Sequence, residues 1–298
     1  NMIYLLIILS LSFTMTLQQA YDEASSLYDY DKYIILESDS IYYGGLGLYE
    51  GNIFIDCKGA VIDLQSQGGI WAYGDENYPC NLEIQYCSII NGAYYGLSFG
   101  GSSTGNVKNC NLINNDMGIK LYDYSEINIS NTNFINNITY GVGIYTEHPI
   151  CNISHCNSWG NGEYDFMENC PGWGNIWTPW EPSPGINLIT ENPLFLDSSN
   201  LNYNYSELSP CIDAGDPTQL DPDGSISDIG ANIYSTQILL GDTNYDGTLN
   251  VLDVIMLVNI ILYDGQCANW IENCPEDLNQ DQTLNVLDIV ELVNIILN

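Results

Sequence analysis

Short stretches in which apolar and polar residues alternate recur along the middle of the chain, separated by Asn and Gly. Segments that start at Cys87, Cys110, Thr132 and Cys156 align with one another, and their starts lie 23, 22 and 24 residues apart. Such a period, divided into several short strands, predicts a solenoid in which each coil stacks on the previous one at about 4.8 Å. Leucine-rich repeats have similar periods, but their regular Leu pattern is absent.

The repeat also predicts which residues face the interior of the solenoid. Ile89, Leu112 and Phe134 occupy equivalent positions, so we expect them to form one apolar ladder across successive coils. The Asn residues at the following corners can pass amide hydrogen bonds along the stack, and they tolerate the left-handed backbone of a corner. The pattern is typical of a right-handed parallel β-helix. It predicts a mainly β domain over residues 21–237, with residues 21–33 as a candidate cap for its open end.

An apolar stretch at residues 2–15 is followed at once by polar residues. The stretch is too short for a spanning helix and fits the hydrophobic region of a signal peptide. We therefore predict a signal peptide over residues 1–20, with the mature chain beginning between Leu17 and Asp22. The protein would be secreted, extracellular or on the cell surface, with no transmembrane span after processing. A retained anchor or a filament-forming helix is the alternative interpretation.

Two apolar segments with helical spacing, residues 251–262 and 286–297, lie at the end of the chain. Each follows a 12-residue loop with oxygen-bearing side chains at positions 1, 3, 5, 7, 9 and 12, the spacing by which EF-hand-type loops wrap calcium. Gly247 occupies the tight turn of the first loop, whereas Gln282 replaces it in the second and predicts a weaker site. The predicted Ca²⁺ ligands are Asp242, Asn244, Asp246, Thr248 (through its carbonyl), Asn250 and Asp253 in the first loop, and Asp277, Asn279, Asp281, Thr283, Asn285 and Asp288 in the second.

The two loop–helix units, with no helix before either loop, resemble a bacterial dockerin over residues 238–298. The resemblance implies two bound Ca²⁺ ions, a pair of antiparallel helices, and docking to a cohesin-like or other surface protein. The pairs Val251-Leu252 and Val286-Leu287 occupy the place where dockerins usually select their partner. Because the two pairs are identical, they allow two symmetric docking orientations. An intramolecular clasp onto the β-helix is the alternative.

A second resemblance concerns the segments downstream of the repeats. Residues 192–195, 209–217 and 228–231 read NPLF, SPCIDAGDP and DIGA. They are similar to the closing segment of secreted bacterial right-handed β-helix proteins, and the resemblance covers residues 40–234. It implies fold and export more than activity, because that family mixes polysaccharide-active enzymes with adhesins and other surface proteins.

The charge balance narrows the range of partners. The chain has 38 acidic residues against 4 basic ones, a formal net charge of −34, and no Lys or Arg after Lys120. A nucleic-acid-binding protein needs Lys and Arg to neutralise phosphates, so nucleic acid is excluded as a partner. Anionic lipids and acidic polysaccharides would also be repelled unless calcium bridged the charges. Neutral polysaccharide remains a candidate partner.

The ten cysteines agree with export, because an oxidising compartment permits disulfides. Cys267 and Cys274 bracket a short loop and predict a local bridge. Cys151 and Cys156 are a second candidate pair. The sequence does not determine how the other six cysteines are connected.

Candidate catalytic residues are few. A polysaccharide lyase on a β-helix needs Lys or Arg as base and counter-charge, and four scattered Lys argue against that chemistry. A glycosidase needs only two suitably spaced carboxylates. Asp123 and Glu147 stand near equivalent positions of adjacent coils, with His148 beside them, and are weak catalytic candidates. A solvated acidic face is the simpler interpretation.

Three tryptophans, Trp173, Trp177 and Trp180, stand in a segment rich in Pro and Gly and are candidates for stacking on sugar rings. Packing as a lid over the last coils is the alternative. The sequence therefore favours an extracellular β-helix protein, more a binding protein than an enzyme, that acts near neutral polysaccharide and docks through its C-terminal module. A glycoside hydrolase of the same architecture and a filament or surface-layer subunit are the alternatives.

Overall fold

The computed structural model describes residues 15–38, 40–170, 176–234, 240–243, 249–263, 276–279, 281 and 283–297. In chain order the elements are α1 (Leu17–Glu23), β1 (Lys32–Ile35), β2 (Ile41–Tyr43), β3 (Leu46–Leu48), β4 (Gly51–Asp56), β5 (Val61–Asp63), β6 (Ile70–Gly74), β7 (Cys80–Gln85), β8 (Ser88–Ile90), β9 (Leu97–Gly101), β10 (Thr104–Lys108), β11 (Asn111–Ile113), β12 (Met117–Leu121), β13 (Glu126–Ser130), β14 (Asn133–Ile135), β15 (Tyr140–Ile144), β16 (Ile150–Trp159), β17 (Tyr164–Cys170), β18 (Ile176–Pro179), β19 (Ser183–Ile189), β20 (Phe195–Asp197), a 3₁₀ turn (Ser198–Asn200), β21 (Asn202–Tyr205), α2 (Val251–Tyr263) and α3 (Val286–Ile296).

Three strands from each coil stack on the equivalent strands of the next coil. One series runs β1-β4-β7-β10-β13-β16, a second runs β2-β5-β8-β11-β14-β16, and a third runs β3-β6-β9-β12-β15-β17, with parallel pairing throughout. β18 extends the third series in the antiparallel sense, and β19 pairs with β16. About six coils result, so the predicted parallel β-solenoid is confirmed.

The interior ladder also follows the prediction. Leu112 pairs with Ile89 on one side and with Phe134 on the other, and all three side chains are fully buried. The pairs are 23 and 22 residues apart, which are the spacings of the repeat. Each buried apolar side chain of this size stabilises the fold by about 1.5–3 kcal/mol relative to an exposed one.

Asparagines form the corners that the repeat predicts. Asn91, Asn114 and Asn136 adopt left-handed backbone with φ of 61°, 56° and 53°. The next residues pass hydrogen bonds between coils, and Asn137 Nδ2 donates to Asn161 Oδ1 at 2.9 Å. Two further amide ladders run through Asn111, Asn133 and Asn157 inside the solenoid and through Asn106, Asn128 and Asn152 on its surface.

A short helix begins the described chain. Thr16 caps α1 by accepting a hydrogen bond from the Gln19 N–H, and Leu17 is fully buried in the solenoid core. Tyr43 N–H donates to the carbonyl of Met15 at 3.0 Å, which ties this segment to the first coil. Residues 2–14 of the predicted signal peptide lie outside the described residues.

The observed disulfide bonding differs from one of the predicted cysteine pairs. A disulfide joins Cys57 to Cys87, whose Cα atoms are 4.9 Å apart on neighbouring coils. Cys151 and Cys156 are free and buried, so that predicted pair was wrong. Both lie on β16, which turns a corner at His155 (φ 52°), and the Cys156 thiol donates to the carbonyl of Ser154 at 3.2 Å instead of bonding to Cys151. Cys267 and Cys274 lie outside the described residues.

The chain divides into two compact units, residues 1–192 with 229–231 and residues 193–228 with 232–298. Within the second unit, β20 and β21 form an antiparallel hairpin. Further along, α2 and α3 contact each other around Leu257, Leu278 and Leu292, which are buried. Leu257 and Leu292 are equivalent positions of the two loop–helix repeats, so the repeat in sequence becomes a repeat in packing.

Candidate functional site

Aromatic side chains and one lysine cover the outer surface of the third strand series. On β6 the inward Ile70 and Ala72 are buried, whereas the alternate Trp71 and Tyr73 are half-buried and face outward. On the coil of β12, Lys120 and Tyr122 take the same outward orientation. We call this surface the aromatic face, and its members are Trp71, Tyr73, Tyr95, Lys120, Tyr122 and Tyr145.

Small residues on β9 allow the large ones to meet. Ser98 and Gly100 occupy the outward positions of β9, between the coils that carry Trp71 and Tyr122. A Cβ atom at Gly100 would collide with the Tyr122 ring, so that ring lies directly over the glycine backbone. The Trp71 indole N–H donates a hydrogen bond to the Tyr122 hydroxyl across β9. The two side chains therefore form one continuous surface over three coils.

Lys120 stands among three tyrosine rings. Its Nζ lies 4.5 Å from the ring centroid of Tyr145, 5.6 Å from that of Tyr122 and 6.0 Å from that of Tyr95. These distances fall within the range of cation–π attraction. Burial lowers the pKa of the Lys120 ammonium. The same burial raises the pKa of Tyr122 to about 12, so its hydroxyl stays neutral and remains a hydrogen-bond donor.

This arrangement suits an uncharged, extended, ring-containing ligand. Aromatic rings offer flat apolar surface to the C–H face of a sugar, and phenol, indole and ammonium groups donate hydrogen bonds to its hydroxyls. Neighbouring strands lie about 4.8 Å apart, so equivalent rings on successive coils can follow the length of a chain-like ligand.

The weak catalytic candidates lie at the edge of the aromatic face. Asp123 follows Tyr122, has left-handed backbone (φ 58°), and its Oδ2 accepts a hydrogen bond from the Gly101 N–H at 3.1 Å. Glu147 and His148 are exposed on the next coil, and the His148 ring stacks on Tyr124 with centroids 4.5 Å apart. Asp123 is thus occupied in holding a corner, and its role with Glu147 in catalysis stays a prediction.

The three tryptophan candidates are only partly described. Trp173 and the side chain of Trp177 lie outside the described residues. Trp180 is half-buried, and its ring meets Phe166 edge-on with centroids 6.3 Å apart. This contact is the one expected for a side chain that packs against the core, which was the alternative interpretation. Sugar binding by these residues stays a prediction.

The structure describes only some of the predicted calcium ligands. In the first loop, Asn244, Asp246 and Thr248 lie outside the described residues. The final ligand, Asp253, is fully buried and accepts hydrogen bonds from the N–H groups of Thr243 and Asn250. In the second loop, Asp288 is equally buried and accepts from the N–H groups of Asn279 and Asn285. Each position-12 carboxylate therefore ties its loop to the first turn of its helix.

The first predicted ligand of each loop is also a buried carboxylate. Asp242 and Asp277, at position 1 of each loop, are 6% and 5% exposed, and the sequence has no Lys or Arg after Lys120. This is the chemistry of a hard-cation site. Among the described residues, however, no group of three or more His, Cys, Asp or Glu is arranged to hold a metal ion. Calcium binding by the two loops stays a prediction.

Sequence reasoning did not single out the aromatic face, although a signal was present. Trp71 and Tyr73, like Lys120 and Tyr122, stand two residues apart at the alternate positions of a strand. Tyr122 and Tyr145 are 23 residues apart, which matches the period of the repeat. Outward aromatics at the period of a solenoid are therefore the pattern that would have found this surface.

The fold and the comparisons together define the class of protein, a parallel β-solenoid with outward side chains arrayed along its coils. The family model described as right handed beta helix region matches residues 31–202. The chain therefore belongs to the right-handed β-helix family. No curated protein and no solved structure shows significant similarity to it. In the part of the chain that the structure describes, no helix is long and apolar enough to cross a membrane.

Proposed function

We propose that this protein is an extracellular or cell-surface β-helix protein that binds neutral polysaccharide along its aromatic face. The observation that carries the proposal is the half-buried array of Trp71, Tyr122 and Tyr145 around Lys120. A purely structural surface of a solenoid needs no continuous aromatic strip, and a partly exposed aromatic surface of this kind usually serves binding. The net charge of −34 favours neutral glycans over acidic ones.

A glycan array combined with a reducing-sugar assay tests this proposal. We expect binding to one or more neutral polysaccharides without release of reducing ends. Absence of binding to every neutral glycan, with the protein folded, would overturn it. Production of reducing ends would favour the second candidate, a glycoside hydrolase, which the position of Asp123 and Glu147 beside the aromatic face supports. In that case Asp123→Asn should abolish the product and leave glycan binding in place.

We further propose that the C-terminal module binds two Ca²⁺ ions and docks to a cohesin-like or other surface protein. Apolar pairs at equivalent positions support the docking role. Val251 and Leu252 are 64% and 37% exposed, and Val286 and Leu287 are 62% and 57% exposed. Large apolar side chains repeated on the surface of so small a module are typical of an interface. The protein is exported first and then docks through this module, so that the β-helix is displayed at the location of the partner.

Retention of residues 1–20 in the mature protein would point instead to a filament or surface-layer subunit. Mass spectrometry of material recovered from the native surface distinguishes the two. A chain that keeps its apolar N-terminus and sediments as polymers would contradict the docking proposal, whereas a processed monomer agrees with it.

A further inference from the structure

The segment from Ser209 to Tyr234 carries acidic residues that the proposed function does not use. Within it, Leu220 and Ile226 form an antiparallel bridge. Asp221 N–H donates to the carbonyl of Ser225, so the chain folds back on itself around a tight turn. Leu220 is 64% exposed, whereas Asp221 beside it is buried on the inner side of the turn and Gln219 is half-buried.

Two carboxylates are buried together on this inner side. Asp221 is 4% exposed and Asp228 is 1% exposed. Asp221 Oδ2 accepts the Asp228 N–H at 3.1 Å. The Asp228 oxygens accept the N–H groups of Asp213 and Tyr234 at 2.8 and 2.6 Å. Burial raises the pKa of Asp221 to about 6 and that of Asp228 to about 7. The charges of Asp223 and Asp213 raise the pKa of Asp221 further, and those of Asp221 and Asp213 raise the pKa of Asp228.

Two buried oxygen atoms of this segment lack hydrogen-bond donors among the described residues. Asp221 Oδ1 and Gln219 Oε1 are both buried, and neither accepts a hydrogen bond from any residue in the described part of the chain. The Gln219 amide nitrogen is already directed to Asp216 Oδ2. A buried anionic oxygen without a partner is strongly unfavourable, so this position requires a donor or a cation. The chain has no Lys or Arg beyond Lys120 to provide one.

We propose that Asp221 Oδ1 and Gln219 Oε1 bind a hydrated divalent cation of the calcium type, with the Asp228 carboxylate adding negative charge beside it. Hard cations accept carboxylate, amide and water oxygens together, so a site with few protein ligands is completed by water. Such a site does not require three acidic side chains. It is separate from the predicted ligands of the C-terminal loops, and its role is to fasten the turn at Asp221–Ser225 to the segment that carries Asp228.

Calcium binding by the full chain tests this proposal, provided that the C-terminal loops are silenced. In the background Asp242→Asn with Asp277→Asn, equilibrium dialysis against Ca²⁺ should show one retained ion per chain. Adding Asp221→Asn should remove that ion, because the amide keeps the shape but loses the charge. The matched control is Asp223→Asn, which removes the same charge at a position two residues away. The Asp223 carboxylate accepts hydrogen bonds from Ser225 within the turn.

Two substitutions at Gln219 keep the test decisive if Asp221→Asn does not fold. Gln219→Met removes the oxygen at similar volume and should weaken calcium binding, whereas Gln219→Glu adds a carboxylate and should strengthen it by about tenfold. Near-UV circular dichroism verifies that each variant is folded. No retained ion in the silenced background, or equal calcium binding by the Asp221→Asn and Asp223→Asn variants, would overturn the proposal. A retained ion insensitive to both Gln219 variants would do the same.

Discussion

The solenoid and the C-terminal module are stabilised by different kinds of interaction. In the solenoid, Ile89, Leu112 and Phe134 are buried in one continuous ladder, and each coil provides the surface on which the next coil packs. In the module, helices of 13 and 11 residues share a small cluster around Leu257 and Leu292. Helices of this length are marginal by themselves, so the module depends on interactions beyond its own apolar packing.

The solenoid and the module also differ in the polar side chains that they bury. The module buries Asp253 and Asp288 completely and leaves much of its apolar surface exposed. The described solenoid buries amides instead, which satisfy one another through ladders such as Asn111–Asn133–Asn157. A neutral amide ladder needs no counter-ion, whereas buried carboxylates do. The solenoid is therefore stabilised by its own contacts, whereas the module is predicted to need a bound cation.

Removing calcium should separate the two regions most sharply. With chelator, we expect residues 251–263 and 286–296 to lose protection against hydrogen exchange, because the loop carboxylates repel one another without a cation. The solenoid strands should keep their protection. Hydrogen exchange with mass spectrometry on the full chain reads both regions at once.

A single-loop variant refines this prediction. Asp242→Ala should weaken the first site severely, and the second site should bind less tightly from the outset because Gln282 replaces Gly at the tight turn. Unchanged protection of the module at any calcium concentration would contradict both the metal assignment and the dockerin resemblance.

Phe134→Ala is expected to have the largest effect on the solenoid. The side chain is fully buried in the ladder, so its removal should cost about 3–5 kcal/mol of unfolding free energy through the cavity it leaves. Denaturant titration monitored through the β-sheet signal measures the loss, and the module helices should be unaffected in the presence of calcium. A loss below about 1 kcal/mol would mean that this ladder is not the core of the solenoid.

A smaller effect is expected at the start of the solenoid. Leu17 is fully buried, so Leu17→Ala should lower the unfolding free energy by about 2–3 kcal/mol. The exposed Leu27→Ala, at 49% exposure, is the matched control and should change little. If the protein is exported, N-terminal sequencing should find Leu17 retained. A mature chain that begins after Leu17, and that is as stable as a chain that retains Leu17, would show that α1 is dispensable.

The smallest effect on stability is expected on the exposed face of the module. Val286→Thr with Leu287→Thr should leave the unfolding free energy nearly unchanged, because both side chains are largely exposed. The same change made also at Val251 and Leu252 should abolish calcium-dependent retention on the native surface. Changing one pair alone should leave retention in place, because the repeats offer two equivalent orientations. Retention that survives all four substitutions would contradict the docking role.

The sequence predicted the regular coils well and the irregular ones poorly, for a physical reason. From Cys87 onward the coils have nearly constant length, so Ile89, Leu112 and Phe134 could be aligned without a structure. In the preceding coil, Val61 pairs with Ser88 and Ile70 with Leu97, both 27 residues apart, because its corners are longer. Where a corner is longer, the strand register cannot be aligned from the sequence. The Cys57–Cys87 disulfide and the contact of Trp71 with Tyr122 therefore could not be predicted.

The candidate sites follow the same rule. Ligands contiguous in sequence, such as those from Asp277 to Asp288, are recognisable because one loop contains the whole pattern. The aromatic face was not found, because it depends on how separate coils are brought together. The Gln219–Asp221–Asp228 group is contiguous, but its spacing matches no known ligand pattern. The left-handed corners at Asn91, Asn114 and Asn136 were predictable, since Asn tolerates that backbone locally.

The most direct test of the central claim is the affinity of the aromatic face for the neutral glycan selected on the array. Isothermal titration should compare the wild type with Trp71→Ala, and with Tyr78→Ala as a control that removes a 57% exposed aromatic from a turn outside the face. We expect Trp71→Ala to weaken binding by at least about tenfold, or 1.4 kcal/mol, because it removes a stacking surface and frees the Tyr122 hydroxyl. Tyr78→Ala should bind as the wild type does. Equal affinity of all three proteins would contradict the assignment of this face to polysaccharide.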